Sequence, residues 1–309
     1  MRIVSLLASG TEIVCALGAG DELVGRSHEC DNPPWVRRLP SCTRPAFDTE
    51  MSSRDIDTEV RRRLKEKLPL FHVDLQQIEA LKPDLLITQA HCEVCAVTPG
   101  DVERAGCNSS AAQVLALQAG TLEGIYDGIA SVAEAIGRAG AGRDLVQNLK
   151  NRADFVREQV RSRRTPSVIV LEWTEPVFAM GNWGPELVEI ANGKLLLGEP
   201  GQHSRAIEWS DVRKADPQYL IIAPCGFNLE RAQREISAMK RNPGWSELRA
   251  VRENKVICAD GNLYFNRSGT TVIETAEILA DILHGTRLHS GSQESAWRVT
   301  ESPEMQSVG

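Results

Sequence analysis

A helical stretch without any strand signal, residues 121–164, divides the sequence into two parts. Thr121 caps a predicted helix that ends near Ile136, and a second helix is predicted from about Arg143 to Arg163. In the second helix, apolar side chains at helical spacing alternate with basic ones, which predicts one packed face and one solvated face. A helix of about 20 residues is about 30 Å long, the width of a small domain. We therefore expect two lobes joined by a long helix.

Short apolar runs alternate with helical patterns on both sides of this stretch. Ile3–Leu7, Asp84–Thr88 and Ser167–Trp173 are runs of the kind that form buried strands, and Asp55–Lys67 is an amphipathic helix. Strands separated by helices imply crossover connections, so the sheets should be mainly parallel. The sequence thus predicts an α/β protein with four parts: an N-terminal βα lobe at 1–120, a helical region at 121–164, a C-terminal βα lobe at 165–285 and a disordered polar tail at 286–309.

Charge and hydropathy exclude several classes of partner. The chain has 309 residues and a net charge of −7, so we expect no nucleic-acid partner. No segment approaches the roughly 20 apolar residues that span a bilayer, so we expect no membrane insertion. The apolar run after Arg2 is shorter than the roughly 7–15 residues of a secretion signal, and Glu12 does not fit a lipoprotein signal before Cys15. These features predict a cytoplasmic protein.

The sharpest local pattern is a histidine followed by two cysteines, His91–Cys95, in a chain with eight cysteines. Thiolate and imidazole are ligands of zinc, and also of cobalt or iron in softer sites. Cys92 and Cys95 could bind one ion from a turn, and His28 or Cys30 could complete the ligand set. Reduced thiols packed in a loop and a redox-active dithiol are the two alternatives.

Ligands of open α/β sheets bind beyond the carboxyl ends of the strands. In the first part of the chain, the residues predicted to follow strand ends and to contact a ligand are Ser9, Thr11, His28, Glu29, His91 and Glu93. In the second part they are Trp173, Glu175, Trp183, Phe227, Tyr264, Phe265 and Arg267. The aromatic members would suit the apolar walls of a macrocycle site, and the alternative is that they fill the core of their own lobe. Ser9 and Thr11 could equally serve only to cap a helix.

Longer segments carry a resemblance to a known family. They are Arg2–Ile13, Ile78–Ile87, Asp216–Ile222 and Asn254–Asp260. Through them the chain resembles the helical-backbone, or class III, substrate-binding proteins of ABC importers of cobalamin, haem, ferric siderophores and some metal ions. Within that class it most resembles a branch usually described as cobalamin-binding, through Ser27–Pro33, His91–Ala96, Leu171–Thr174 and Ala223–Phe227.

The resemblance implies a binding protein and not an enzyme. It implies that a cobalamin-like corrinoid, or haem or a ferric chelate, is held between the lobes, and that an ABC permease is a partner, although such relatives are periplasmic or surface-anchored. Motifs of dinucleotide, phosphate-loop and serine-hydrolase enzymes are absent from the sequence. The alternative is a cytoplasmic metal-binding or thiol-dependent enzyme that uses Cys30, Cys92 and Cys95 with zinc or another transition metal.

Overall fold

The structure is a computed structural model that describes residues 1–90, 94, 96–104 and 112–300. The chain forms two compact units. The first comprises Met1–Leu149 with Ser268–Thr270, and the second comprises Lys150–Arg267 with the chain from Thr271 onward.

The strands of the described residues are short. In chain order they are β1 (Ile3–Ser5), β2 (Leu23–Arg26), β3 (Thr43–Pro45), β4 (Phe71–Val73), β5 (Leu85–Gln89), β6 (Gln113–Leu117), β7 (Ser167–Thr174), β8 (Val177–Ala179), β9 (Lys194–Leu195), β10 (Arg205–Ala206), β11 (Tyr219–Ile222), β12 (Val256–Ala259) and β13 (Trp297–Val299). The helices are α1 (Ala8–Ala16), α2 (Ser53–Glu66), α3 (Leu75–Leu81), α4 (Pro99–Arg104), α5 (Leu122–Ala135), α6 (Ala139–Val160), α7 (Gly184–Ile190), α8 (Trp209–Ala215), α9 (Leu229–Met239), α10 (Arg249–Arg252), α11 (Val272–His284) and α12 (Gln293–Ala296).

The first unit contains a parallel sheet in the order β2-β1-β5-β6. Its central strands, β1 and β5, are completely buried, as the apolar runs in the sequence predict. A separate antiparallel pair, β3 and β4, joins Thr43–Pro45 to Phe71–Val73. In the sequence, α2 lies between these two strands. Ser52 caps this helix by accepting a hydrogen bond from the Asp55 amide.

The start of α1 differs from the prediction. Ser9 and Thr11 were candidates for helix caps, but both lie inside α1, which begins at Ala8, and Leu7 occupies the cap position without a side-chain hydrogen bond. The helix therefore follows β1 almost directly. At Gly10 the helix passes close to β1 and β5, and only glycine fits there. A Cβ at this position would lie 2.7 Å from Ile87 Cγ2 and 3.0 Å from Ser5 Oγ.

The second unit contains a mixed sheet in the order β10-β8-β7-β11-β12-β13. Its centre, β7, β11 and β12, is parallel and buried, and β9 also joins β7 in parallel. The outer strands β8, β10 and β13 pair antiparallel. The predicted fold class is confirmed, with the addition that only the centre of this sheet is parallel.

The prediction of a disordered tail from residue 286 is wrong for residues 286–300. This segment returns to its unit through Asp281, whose carboxylate accepts hydrogen bonds from the Thr286 hydroxyl and from the amides of Leu288 and His289. Then α12 and β13 follow, and β13 pairs with β12. Its polar composition does not exclude a strand, because an edge strand needs few apolar residues to form its ladder.

The described cysteines are free thiols. Cys42 in the first unit and Cys258 in the second have no exposed surface. Burial raises the pKa of the Cys42 thiol to about 11 and that of Cys258 to about 12. Both thiols therefore stay protonated at neutral pH, as expected for small core residues.

Candidate ligand-binding site

His28 follows β2 at the carboxyl edge of the first unit's sheet. Its ring Nδ1 lies 2.7 Å from the Thr43 hydroxyl, and its ring packs on Phe71 with centroids 5.7 Å apart. The Thr43 hydroxyl also accepts a hydrogen bond from the backbone amide of His28 at 3.0 Å. Burial, aided by the nearby Arg26, lowers the pKa of His28 to about 4. The imidazole is therefore a fixed, neutral ring at physiological pH.

Other predicted ligand residues of the first unit are engaged within it. Thr11 is buried and donates to Cys30 Sγ at 3.0 Å, and that thiol is itself 1% exposed. Ser9 Oγ is 3.3 Å from Ser268 Oγ. The amide of Glu29, which is half-buried, donates to Ser27 Oγ at 3.3 Å.

The cysteine motif lies outside the described residues: this concerns His91, Cys92, Glu93 and Cys95. Their predicted roles as ligand and metal contacts stay predictions. Among the residues that the structure does describe, no group of three or more His, Cys, Asp or Glu side chains is placed to hold a metal ion. Cys30, the described member of the predicted metal set, lies against the Thr11 hydroxyl and 3.7 Å from the Ser5 carbonyl oxygen.

An aromatic pair lies at the carboxyl edge of the second unit's sheet. Trp173 near the end of β7 and Phe227 after β11 have ring centroids 5.2 Å apart, tilted by 50°. Because β7 and β11 are neighbouring parallel strands, their ends bring these two rings together. The Arg231 guanidinium lies over the Phe227 ring at 4.5 Å, which is cation–π geometry.

Next to this pair are buried charged side chains that were not predicted from the sequence. Arg231 and Glu235 lie one turn apart on α9, both more than nine-tenths buried, and their Nε and Oε1 atoms are 3.8 Å apart. The Thr174 hydroxyl donates to Glu235 Oε2 at 3.0 Å. In the sequence, the sign of this pair is an arginine and a glutamate four residues apart, shortly after a predicted strand. Such a pair more often lies on a solvated helix face, so the sequence alone does not single it out.

Glu172 is a second buried carboxyl that the sequence analysis missed. It lies in β7 at a register shift between Leu171 and Trp173, and it accepts hydrogen bonds from the Ser204 hydroxyl and the Gly181 amide. Burial raises the pKa of Glu172 to about 7, although both hydrogen bonds act in the opposite direction. Its backbone carbonyl accepts from the Cys225 amide, which ties β7 to the loop before Phe227.

The remaining predicted residues of the second unit are mostly packed inside it. Trp183 is 6% exposed at the start of α7, and Phe265 is 1% exposed. Tyr264 is buried edge-on against His289, and burial with nearby carboxylates raises its pKa to about 12. Arg267 donates to the Asn262 carbonyl and side chain at 3.0 and 2.9 Å. Glu175 is half-buried in the turn between β7 and β8.

Comparisons with known proteins place the chain in a family. Residues 3–263 match the family described as periplasmic binding protein. An uncharacterized ABC transporter substrate-binding lipoprotein of Bacillus subtilis, YvrC, is 24% identical over 288 residues, covering 92% of this chain and 80% of the relative.

Solved structures show the same fold. The periplasmic vitamin B12 binding protein BtuF of Vibrio cholerae is similar with a TM-score of 0.65 and 20% identity, covering 91% of this chain and 96% of that one. A periplasmic heme binding protein of Pseudomonas aeruginosa gives 0.66 and 19%, with coverage of 98% and 95%. IsdE of Staphylococcus aureus, solved with heme, gives 0.71 and 14%, with coverage of 92% and 98%.

The chain therefore belongs to the periplasmic binding protein family and is a substrate-binding protein of the ABC-transporter type. Membership implies a small-molecule ligand and an ABC permease as partner. The family consists of receptors, which decides against the thiol-dependent enzyme that the cysteines had left open. Within the described ranges, no helix is both long enough and apolar enough to cross a bilayer.

The predicted cytoplasmic location is wrong. The matching family is one of periplasmic binding proteins and the Bacillus relative is a lipoprotein. The prediction depended on the first residues of the chain, which form β1 and α1. The presence of a strand and a helix at this position carries no information about the cellular compartment of the protein.

Proposed function

We propose that this chain binds a large metal chelate, cobalamin in the first place, and presents it to an ABC importer. The observation that carries the proposal is the Trp173–Phe227 pair at the carboxyl ends of β7 and β11. Conjugated macrocycles bind against apolar and aromatic walls. Haem and ferric chelates are the alternatives, since similar solved structures are named for vitamin B12 and for heme.

His28 supports a ligand that contains a metal. The Thr43 hydroxyl is placed to donate to Ser27 Oγ at 3.1 Å, which favours the tautomer in which His28 Nδ1–H donates to Thr43. In that tautomer Nε2 carries the lone pair. A neutral imidazole held by such a bond is a good axial ligand for cobalt or iron.

The experiment is an absorbance titration of the purified chain with aquocobalamin and, in parallel, with hemin, followed by desalting. We expect aquocobalamin to be retained and its spectrum to shift as imidazole replaces water on cobalt. The variant His28→Ala should lose the shift and keep part of the binding. Retention of neither chelate would contradict the proposal, and retention of hemin alone would assign the alternative.

The variant Trp173→Leu tests the aromatic pair. We expect it to weaken binding about tenfold, the usual order for removing a central aromatic contact. Trp35→Leu is the matched control, because Trp35 is 39% exposed in the short helical turn Pro34–Arg38. If the two variants bind the chelate with equal affinity, the Trp173–Phe227 pair is not part of the binding site.

A further inference from the structure

A groove runs along β4 in the first unit, and the proposed ligand site does not account for it. Its volume is about 980 Å³, and its walls come from β3 with the residue two before it, Ser41, from the end of α2, the whole of β4, the start of α3, and α4. The stretch of chain from Pro69 to Gln76 lines it without interruption. The groove therefore follows an extended strand.

The backbone of β4 has an open hydrogen-bonding edge. In the β3–β4 pair, the Asp74 amide donates to the Cys42 carbonyl and the Ala46 amide to the Leu70 carbonyl. Antiparallel pairing alternates residue by residue, so the amides and carbonyls of Phe71 and Val73 point away from β3. Among the described residues, none forms a backbone hydrogen bond with these outward groups.

The groove also has an exposed apolar floor. Leu64 near the end of α2 is 43% exposed and Leu68 is 41% exposed. Phe71 and Val73 are half-buried beside them. Apolar side chains next to an open strand edge are the combination that a β-strand from another chain can cover.

The charges around the groove favour an acidic occupant. Two carboxylates line it and both are engaged: Asp101 accepts from Thr98 and Arg104, and Asp74 accepts from the Gln77 amide. Within the described part of the chain, the side chains of Arg44 and Lys67 make no ion pair. Asp101 is paired with Arg104, whereas the amide bond leaves the charge of Asp74 in place. Arg44 and Lys67 together outweigh that one carboxylate, so the net charge at the groove is positive, on a chain whose net charge is −7.

We propose that this groove binds an extended acidic segment of a partner protein, which adds as a strand to the open edge of β4. Backbone groups of Phe71 and Val73 pair with the segment, its alternate apolar side chains cover Leu64 and Leu68, and its carboxylates contact Arg44 and Lys67. A small ligand would not need the two-residue repeat of this backbone edge. Thr43 and Phe71 line the groove and also contact His28, but the proposed segment uses other groups, namely the outward backbone of β4 and the side chains of the groove. The test needs no chelate.

The test uses a fluorescein-labelled hexapeptide of alternating valine and glutamate, with blocked ends, and measures anisotropy with the full chain. We expect saturable binding, no saturation with the lysine analogue, and loss of binding when two adjacent central residues of the peptide are N-methylated. N-methylation on adjacent residues blocks both edges of the peptide strand. In hydrogen exchange, the amides of Phe71 and Val73 should slow by about tenfold or more when the peptide is bound.

Two sets of variants assign the contacts. The double variant Arg44→Gln, Lys67→Gln should bind about tenfold more weakly, since each exposed ion pair is worth about threefold. The double variant Arg38→Gln, Lys214→Gln removes the same charge outside the groove and should bind like the parent chain. Val73→Pro removes one outward amide at an edge position that tolerates proline, and should also weaken binding.

Several results would overturn the proposal. They are the absence of peptide binding, equal binding of the lysine analogue, or bound peptide that leaves the Phe71 and Val73 amides unprotected. The peptide and hydrogen-exchange measurements use the unmodified chain, so they decide the matter even if Val73→Pro fails to fold. Failure here would leave the chelate proposal untouched, because no variant in this test changes Trp173, Phe227 or His28.

Discussion

At Glu172, burial and hydrogen bonding act on one carboxyl in opposite directions. Removal from water favours the protonated form, while the Ser204 hydroxyl and the Gly181 amide favour the ionised form. Burial is the larger effect, and the pKa rises from 4.5 to about 7. The folded chain thus retains a proton that the unfolded chain has already released over this range of pH.

The sign of the pH dependence follows from linkage. Because the folded pKa of Glu172 is the higher one, its contribution to stability is complete below about pH 4.5 and is lost as the pH rises through about 7. The difference corresponds to on the order of 3 kcal/mol. We expect Glu172→Gln to flatten the decline in the free energy of unfolding between pH 5 and pH 8 and to be the more stable chain at pH 8.

Urea unfolding at several pH values between 5 and 8 checks this prediction. Glu199→Gln is the control, because Glu199 is an exposed carboxylate on the loop between β9 and β10. It should reproduce the parent pH dependence. If Glu172→Gln does the same, Glu172 is ionised in the folded chain and the prediction is wrong.

Single residues of the site differed in how far the sequence could predict them. His28 and Trp173 were predicted as ligand residues because they lie at or after the end of a strand. The structure places both at a sheet edge with an aromatic neighbour. The same rule also selected Thr11 and Phe265, which are buried. Position along a chain does not say which way a side chain points, and that depends on long-range packing.

Among the helices, α1 depends most on one small residue. At Gly10 an added methyl group would lie 2.7 Å from Ile87 Cγ2, inside a packed core. We expect Gly10→Ala to destabilise the first unit by about 1–3 kcal/mol, the usual cost of overpacking. Urea unfolding followed by circular dichroism measures the change.

Gly140→Ala provides the matched comparison. Gly140 is near the start of α6, and its nearest neighbour for a new Cβ is Arg143 Nη2 at 4.0 Å. Alanine should stabilise this helix by up to about 1 kcal/mol. If Gly10→Ala also stabilises the chain, helix propensity and not packing governs Gly10.

Elements inside a longer apolar run or a sustained period were predictable, including the three-residue β1 within the run Ile3–Leu7, and short strands without such a run were not. The strands β1, β5 and β7 and the helix α6 were expected near their observed bounds, because each has a run of apolar residues or a sustained period. The strands β8, β9, β10 and β13 have two or three residues each. A period cannot be read from so few positions, and their pairing partners are distant in the sequence.

For the whole molecule, the matched family range ends at residue 263, while β13 lies beyond it at Trp297–Val299. The last part adds β13 to the second unit's sheet, with hydrogen bonds from the Asp260 amide to the Ala296 carbonyl and from the Thr300 amide to the Val256 carbonyl. The family resemblance gave no reason to expect this strand. It is part of the second unit and not an appendage.

Removal of residues 291–309 tests that view. The deletion removes these two bonds and the pairing of β13 with β12 between them. At about 1 kcal/mol for each bond, the two alone should lower the Tm of the second unit by about 4–8 °C, so we expect a decrease of at least that size. Removal of 301–309 alone is the control, because it leaves both bonds in place. An unchanged Tm after the longer deletion would mean that β13 contributes nothing to the stability of the unit.

The buried thiols give each unit a natural reporter of its transient opening. Cys42 in the first unit and Cys258 in the second are protonated and inaccessible in the folded chain. An alkylating reagent can modify either one only while the surrounding core is open. The rate of labelling at each cysteine therefore measures how often that unit opens transiently. Peptide mapping can then distinguish the two rates in the unmodified chain, with and without a bound chelate.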